Sequence, residues 1–223
     1  MRMGYTINDL CLMPVCLVPF GGLSEIDVRP GEVIIIAPAT GRYGGVAVLV
    51  ALAMGATVIA AGRNAAALEN LVKIHSTARL RTVRLTEDAS RNTELFREAA
   101  GTSKGVDAYI DFSPPAACGS TLFPAAVGAL RPFGRCALMG GMPGTIEIPY
   151  LDVMLKSLRI QGRFMYGRLH IQRMVQMMES GLLPLGKKAG IHHTEEYGLE
   201  AINDALDAAG KLTGWGRHVV LKP

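Results

Sequence analysis

The residues best suited to chemistry form one run, Pro38-Ala39-Thr40-Gly41-Arg42-Tyr43-Gly44-Gly45. It follows the apolar stretch Val33-Ile34-Ile35-Ile36-Ala37 and precedes a second apolar stretch, Val46 to Met54. The first has the β-branched, uninterrupted character of a strand buried on both faces. The second has helical length, with Gly55 placed as a stop. Thr57 to Ala61 then reads as another short strand. Strand, glycine turn, helix and strand make a βαβ unit. Its turn is where a nucleotide diphosphate would sit, because unpaired backbone N–H groups and the helix dipole converge there. Against the pattern G-x-G-x-x-G the aligned residues are Ala39, Gly41 and Gly44, so alanine replaces the first glycine. Gly41 allows backbone to approach a phosphate, and Gly44 allows helix and strand to pack closely. A glycine turn that binds nothing stays open as the alternative.

The end of the second strand carries Gly62-Arg63-Asn64, where NAD-binding folds place an acidic residue on the ribose hydroxyls. A small residue followed by arginine favours a ribose 2′-phosphate, hence NADP(H). A solvated Arg63 at a helix start is the plain alternative.

The elements that must position these residues follow from the pattern. Asn64 can cap a helix over 65–74. Strands are expected at 82–85, 106–112, 135–139 and 158–164, with helices at 91–99, 117–130, 170–180 and 199–210 and a last strand at 217–221. Alternating strands and helices predict an α/β fold with a doubly wound parallel sheet, a Rossmann fold. Ligands in such sheets sit beyond the carboxyl ends of the strands. That rim would hold Thr40, Gly62, Ser113 and Gly140. Residues 1–30 read as a connector, 31–165 as the dinucleotide-binding domain and 166–223 as a helical segment with a final strand. Met174, Met177 and Met178 recur at helical spacing, which favours core over a pliable ligand wall.

Composition narrows the function classes. The chain has 223 residues, 49% of them hydrophobic, and a formal net charge of +4. Mean hydropathy is +0.26, which suggests an oligomer interface or an apolar cleft. Glycines and Arg42 interrupt the longest apolar run, so no membrane span is expected. The basic run Arg79-Leu80-Arg81-Thr82-Val83-Arg84 lacks aromatic interleaving and reads as solvated loop and edge strand, with no nucleic-acid partner expected. Cys11, Cys16, Cys118 and Cys136 form no C-x-x-C pair and sit among apolar residues, as buried thiols in a reducing compartment would. The amino terminus lacks the layout of a signal peptide, and a cytoplasmic protein is expected.

From about Leu12 onward the chain resembles the medium-chain dehydrogenase/reductase superfamily, in its fungal zinc-type alcohol dehydrogenase-like branch. The matching segments are PVCLVPFGGL, VRPGEVIIIAPATGRYGG, ALAMGATVIAAGRN, DAYIDFSP, GRCALMGGMPG, IPY, LRIQGRFMYGR and GWGRHVVL, in the family's order. The resemblance implies a catalytic GroES-like barrel before this segment, which the sequence does not contain, along with its zinc ligands. No GHE-type segment is present, and His75, His170, His192, His193 and His218 are dispersed. No zinc is therefore expected.

What the resemblance implies residue by residue is cofactor contact. Thr40, Gly41, Arg42, Tyr43 and Gly44 match the diphosphate loop, although the bulk of Arg42 and Tyr43 could block it. Gly62, Arg63 and Asn64 match the adenosine ribose site, and Ser113 and Pro114 the turn after the fourth strand. Met139, Gly140 and Gly141 match the segment beside the nicotinamide, and Arg217 a basic residue that reaches the phosphates. Hydride transfer also needs a group that stabilises developing charge. Tyr166, Arg163 and His170 are the candidates, with a half-buried aromatic beside an interface as the plain reading of Tyr166. The first expectation is an NADP(H)-dependent, zinc-independent oxidoreductase acting on a small hydrophobic carbonyl, alcohol or enone. The second is a non-redox isomerase or cyclase of a hydrophobic secondary metabolite that reuses the cleft. The third is a module that senses NADP(H). The resemblance further implies a homodimer paired through the edge strand near Leu158–Gly162.

Overall fold

The computed structural model describes residues 4–212 and 214–223. Its centre is β1 (Val33–Ala37), whose five residues are all buried. Parallel strands β2 (Thr57–Gly62) and β4 (Val106–Asp111) flank it, and the order continues outward to β3 (Leu80–Arg84) on one side. On the other side lie β5 (Leu130–Leu138) and β6 (Arg159–Gly162). The six-stranded order is 3-2-1-4-5-6, a doubly wound Rossmann-like sheet.

Helices cover both faces because both faces are apolar. One layer holds α2 (Met13–Glu25), α3 (Arg42–Ala53) and α8 (Arg168–Glu179). Leu17, Phe20 and Leu23 of α2, Val46 and Val50 of α3, and Met174 and Met178 of α8 share its core. Met174 and Met178 are thus core residues while Met177 is half-buried against them, and both end segments pack into the same core as the sheet. The opposite layer buries Phe96 of α5 (Ala89–Ala100) and Phe123 of α6 (Leu122–Ala129) against Ile35, Ile59 and Tyr109. Helix α4 (Ala65–His75) starts at Asn64, whose side chain accepts from the Ala67 N–H at 3.1 Å.

Several boundaries differ from expectation. The helix expected at 117–130 begins only at Leu122, after a 3₁₀ turn at Pro115–Ala117 and a positive φ at Gly119. Strand β5 starts early, at Leu130, and then bulges: Val106 pairs with Leu130 but Ala108 with Arg135. A second parallel pair joins β7 (His193–Gly198) and β8 (Arg217–Lys222). Between them runs α9 (Ile202–Lys211). Two short helices, α1 (Ile7–Leu10) and α7 (Tyr150–Leu155), and 3₁₀ turns at Gly186–Ala189 and Leu199–Ala201 complete the order.

Other expectations change with the environment. Cys118 is exposed and Cys11 half-buried, whereas Cys16 and Cys136 are buried, so the expectation of four buried thiols holds for two. Cys118 stands on the turn that follows Pro115–Ala117, where no core exists to cover it. Arg84 of β3 is exposed as expected, but Arg79 and Arg81 are not simply solvated. Arg79 donates to the carbonyls of Leu52 and Ala56 at 2.9 Å each, and Arg81 to those of Ala99 and Ala100 at 2.7 Å. They close the carboxyl ends of α3 and α5, where cations and donors are favoured. The helical stretch Ile7–Glu25 is long and apolar enough to cross a membrane by length and composition. In this fold its Cys16, Leu17, Phe20 and Leu23 are core residues instead.

The contact that fixes α3 over β1 is made by Gly44. A Cβ there would overlap the Pro38 carbonyl oxygen and lie 2.8 Å from the Ala39 Cα. A Cβ at Gly41 would meet nothing within 4 Å. Gly44→Ala is expected to lower unfolding free energy by about 2 kcal/mol or more. Gly41→Ala should stay within about 0.5 kcal/mol. Urea denaturation checks both, and equal midpoints for the two variants would contradict the geometry.

Candidate cofactor cleft

Every strand of the main sheet ends on one rim, and the ladder continues past the strand ends. Ala39 N–H donates to the Ala61 carbonyl at 2.7 Å, Leu85 N–H to Gly62 at 3.0 Å and Phe112 N–H to Ala37 at 3.0 Å. Met139 N–H reaches Asp111 at 3.1 Å, and Gly141 N–H reaches Ser113 at 2.9 Å. The turns that carry candidate residues are therefore held in register by backbone bonds before any ligand arrives.

A cleft of about 610 Å³ opens on this rim, within the usual range for a small-molecule site. Thr40, Gly41, Arg42, Tyr43, Gly44, Gly62, Arg63, Asn64 and Pro114 all line it. Gly41 is the N-cap of α3 and supplies no capping side chain. The first-turn N–H groups thus lack intrahelical partners and face the cleft with the positive end of the dipole. The space above Gly41 is open, and Tyr43, 48% exposed, does not close it. Gly62 is fitted to the turn: a Cβ there would lie 2.7 Å from Thr40 Cγ2. These features fit a diphosphate at the first turn and an adenosine ribose beside Gly62 and Arg63.

The remaining expected residues lie elsewhere. Arg217 is paired with Glu195 across the small sheet at 2.7 Å and is not among the lining residues. Ser113 is buried, and its hydroxyl donates to Asp111 Oδ1 at 2.6 Å, so its backbone rather than its side chain shapes the rim. Met139 packs against Gly22 of α2, and Gly140 and Gly141 form the turn after β5. Tyr166, Arg163 and His170 gather at the start of α8 against α2, outside this cleft. A Cβ at Gly21 would come within 3.2 Å of Tyr166. Arg163 bonds Glu25 at 3.0 Å. The Gly167 N–H donates to His170 Nδ1 at 2.8 Å, and the ring stands edge-on to Phe20. Burial and then the Arg163 guanidinium hold His170 below the usual histidine range. With Nδ1 accepting, the ring is neutral and its proton is on Nε2.

Sequence reasoning missed two features of the rim. Leu85, Thr86, Glu87, Ser120, Thr121, Leu212 and Gly214 also line the cleft; they come from loops with no motif to mark them. The other is a buried carboxylate, Asp111, which accepts from the hydroxyls of Tyr109 at 2.8 Å and Ser113 at 2.6 Å. Burial pushes its pKa up, and those hydroxyls together with the N–H groups of Ser113 and Gly140 pull it back. A Cβ at Gly140 would sit 2.6 Å from Asp111 Oδ2, so glycine is required where the β5 turn meets the carboxylate. The signal was present as an Asp at the end of a buried strand followed by Ser two residues later.

Asp111→Asn exchanges one acceptor oxygen for an amide that donates. A loss of about 1–3 kcal/mol in denaturant unfolding at neutral pH is expected. Tyr109→Phe should lose about 1 kcal/mol. An unchanged midpoint in Asp111→Asn would show that the network does not hold the two turns.

Among the described residues, no three His, Cys, Asp or Glu side chains come together to hold a metal ion. His193 instead approaches Glu195 at 3.3 Å.

Comparison with known proteins agrees with the fold. None of the curated protein sequences matches the chain. A 2-octenoyl-CoA carboxylase reductase, solved with NADP and 2-octenoyl-CoA, superposes with a TM-score of 0.74 at 16% identity, over 97% of this chain and 50% of that one. An alcohol dehydrogenase from Thermus sp. ATN1 gives 0.72 at 19% identity, over 97% and 59%. The 2R,3R-butanediol dehydrogenase of Bacillus subtilis gives 0.71 at 15% identity, over 95% and 56%. The chain thus spans half to three-fifths of the length of these structures, and the likeness is one of fold. The family model of zinc-binding dehydrogenases matches residues 44–180, and the chain belongs to that family.

Proposed function

We propose that this chain binds NADP(H) in the rim cleft and serves hydride transfer to or from a small hydrophobic carbonyl, alcohol or enone. One observation carries the reading: the glycine turn after β1 and Gly62-Arg63-Asn64 after β2 line a single cleft whose space above Gly41 is open. NADP(H), when bound, supplies or accepts the hydride. The first-turn N–H groups of α3 bind the diphosphate. Arg63 takes the 2′-phosphate at a position where a carboxylate would repel it. The turns at Ser113–Pro114 and Met139-Gly140-Gly141 form the end of the site nearest the reacting carbon. A neighbour of the same fold that was solved with NADP supports this choice of cofactor.

Tyr166, the expected polarising group, lies against α2 outside the cleft, so this reading gives it no contact with the reacting carbon. Arg163 is engaged by Glu25, and Nδ1 of His170 by the Gly167 N–H. Arg163 and His170 therefore hold the segment that carries Tyr166.

The reading includes a homodimer. Strand β6 is the outer strand of the sheet, with one neighbour, β5. On α7, which precedes it in the chain, Tyr150, Leu151, Met154 and Leu155 are exposed. A second copy pairing edge to edge across a two-fold axis would cover both the free backbone groups and this apolar surface.

NADPH titration followed by nicotinamide fluorescence is expected to saturate, with NADPH bound more tightly than NADH. Arg63→Ala should weaken NADPH about tenfold and leave NADH unchanged. An added enone should then be reduced at the expense of NADPH. Equal affinity for both cofactors would remove the role given to Arg63, and no binding of either would overturn the reading. Light scattering should give a dimeric mass, reduced to a monomeric one by Leu155→Asp without change in NADPH affinity. A monomeric native protein at micromolar concentration would reject the dimer.

A further inference from the structure

A diphosphate at a helix N-terminus is held more tightly when a cation joins the N–H groups. Arg217, the cation expected from the carboxyl-terminal strand, is spent on Glu195. Arg42, the first residue of α3, lines the cleft beside Gly41 instead. Its Nη2 lies 3.5 Å from Nδ1 of His218, on β8. That ring is only 5% exposed, and its Nε2 is buried without a hydrogen-bond partner among the described residues. Burying an imidazole with one nitrogen unpaired is costly, so the residue needs a reason to be there. A guanidinium cannot accept a hydrogen bond, so Nδ1 accepts and the ring proton lies on Nε2.

The surroundings support a fixed, neutral ring. Burial first, and the Arg42 charge second, hold His218 below the usual histidine range. Other nearby charges are engaged elsewhere. On the same face of the small sheet Glu196 is tied to Lys222 and Asn8. On the opposite face His193 and Arg217 both meet Glu195. Trp215, just before β8, presses on the turn that carries Arg42: a Cβ at Gly45 would lie 2.7 Å from the Trp215 Cβ. Its indole N–H donates to the Ala189 carbonyl at 2.8 Å. The strand bearing His218 is thereby docked on the first turn of α3.

We propose that Arg42 is the cation that clamps the cofactor diphosphate and that His218 is a positioning residue which holds its guanidinium at the side of the turn. The proposal rests on the NADP(H) reading above. In that position the guanidinium stands at the cleft beside the first turn of α3, where an arriving phosphate would meet it. The side chain that seemed able to block the turn is a ligand of its occupant.

Binding of NADPH, ADP and 2′-AMP to the intact protein at neutral pH separates the outcomes. ADP carries the diphosphate without the 2′-phosphate, and 2′-AMP the reverse. Arg42→Ala is expected to weaken NADPH and ADP about tenfold or more and to leave 2′-AMP within about twofold. Arg42→Lys should recover part of the loss. His218→Leu should weaken NADPH and ADP a few-fold, and His218→Asn, which keeps an acceptor near Nδ1, should restore them. Unchanged ADP affinity in Arg42→Ala, a parallel loss of 2′-AMP, or tighter NADPH binding would overturn the proposal while leaving the NADP(H) reading intact. A native protein that binds none of the three would instead overturn the reading on which it rests.

Discussion

The approach of Gly44 to the Pro38 carbonyl is the constraint on which the rest depends. Only a residue without a Cβ lets α3 lie this close to the exit of β1. That contact aims the first turn of α3 along the rim rather than away from it. It also brings Gly45 against Trp215, so the carboxyl-terminal segment docks on the same turn. One absent methyl group thus sets the direction of a helix, the mouth of a cleft and the placement of β8.

The rest of the rim is held by backbone bonds and one buried acid. The ladder that runs past the ends of β4 and β5 brings the turns at Ser113 and Gly141 together. Asp111 lies beneath them, and its burial is offset by two hydroxyls and two N–H groups. A buried carboxyl group on which four donors converge is a rigid element.

Much of this was legible in the sequence because the sheet is parallel and buried. Val33 to Ala37 and Thr57 to Gly62 are apolar without alternation, and the Gly41–Gly44 spacing places the turn between them. Gly41, Gly44, Gly62 and Arg63, which line one cleft, could be picked out from that unit. The strand His193–Gly198 was not legible: HTEEYG has neither alternation nor an apolar run, and it becomes a strand only by pairing with β8. The early start of β5 was hidden by the bulge Arg131-Pro132-Phe133-Gly134, whose proline and glycine read as a turn. Arg217 matched a phosphate-binding residue by position, but the partner that claims it, Glu195, lies 22 residues away in a segment with no motif. The pairing of Arg42 with His218 spans 176 residues, so no local pattern could have revealed it.

The central claim is that the turn after β1 is an open, preorganised seat for a dinucleotide diphosphate. A crystal structure of the protein soaked with NADPH tests it most directly. The account predicts diphosphate density above Gly41, within hydrogen-bond distance of the first-turn N–H groups of α3, with the adenosine ribose beside Arg63. Density for the Arg42 or Tyr43 side chain in that space, with the dinucleotide bound elsewhere, would contradict it.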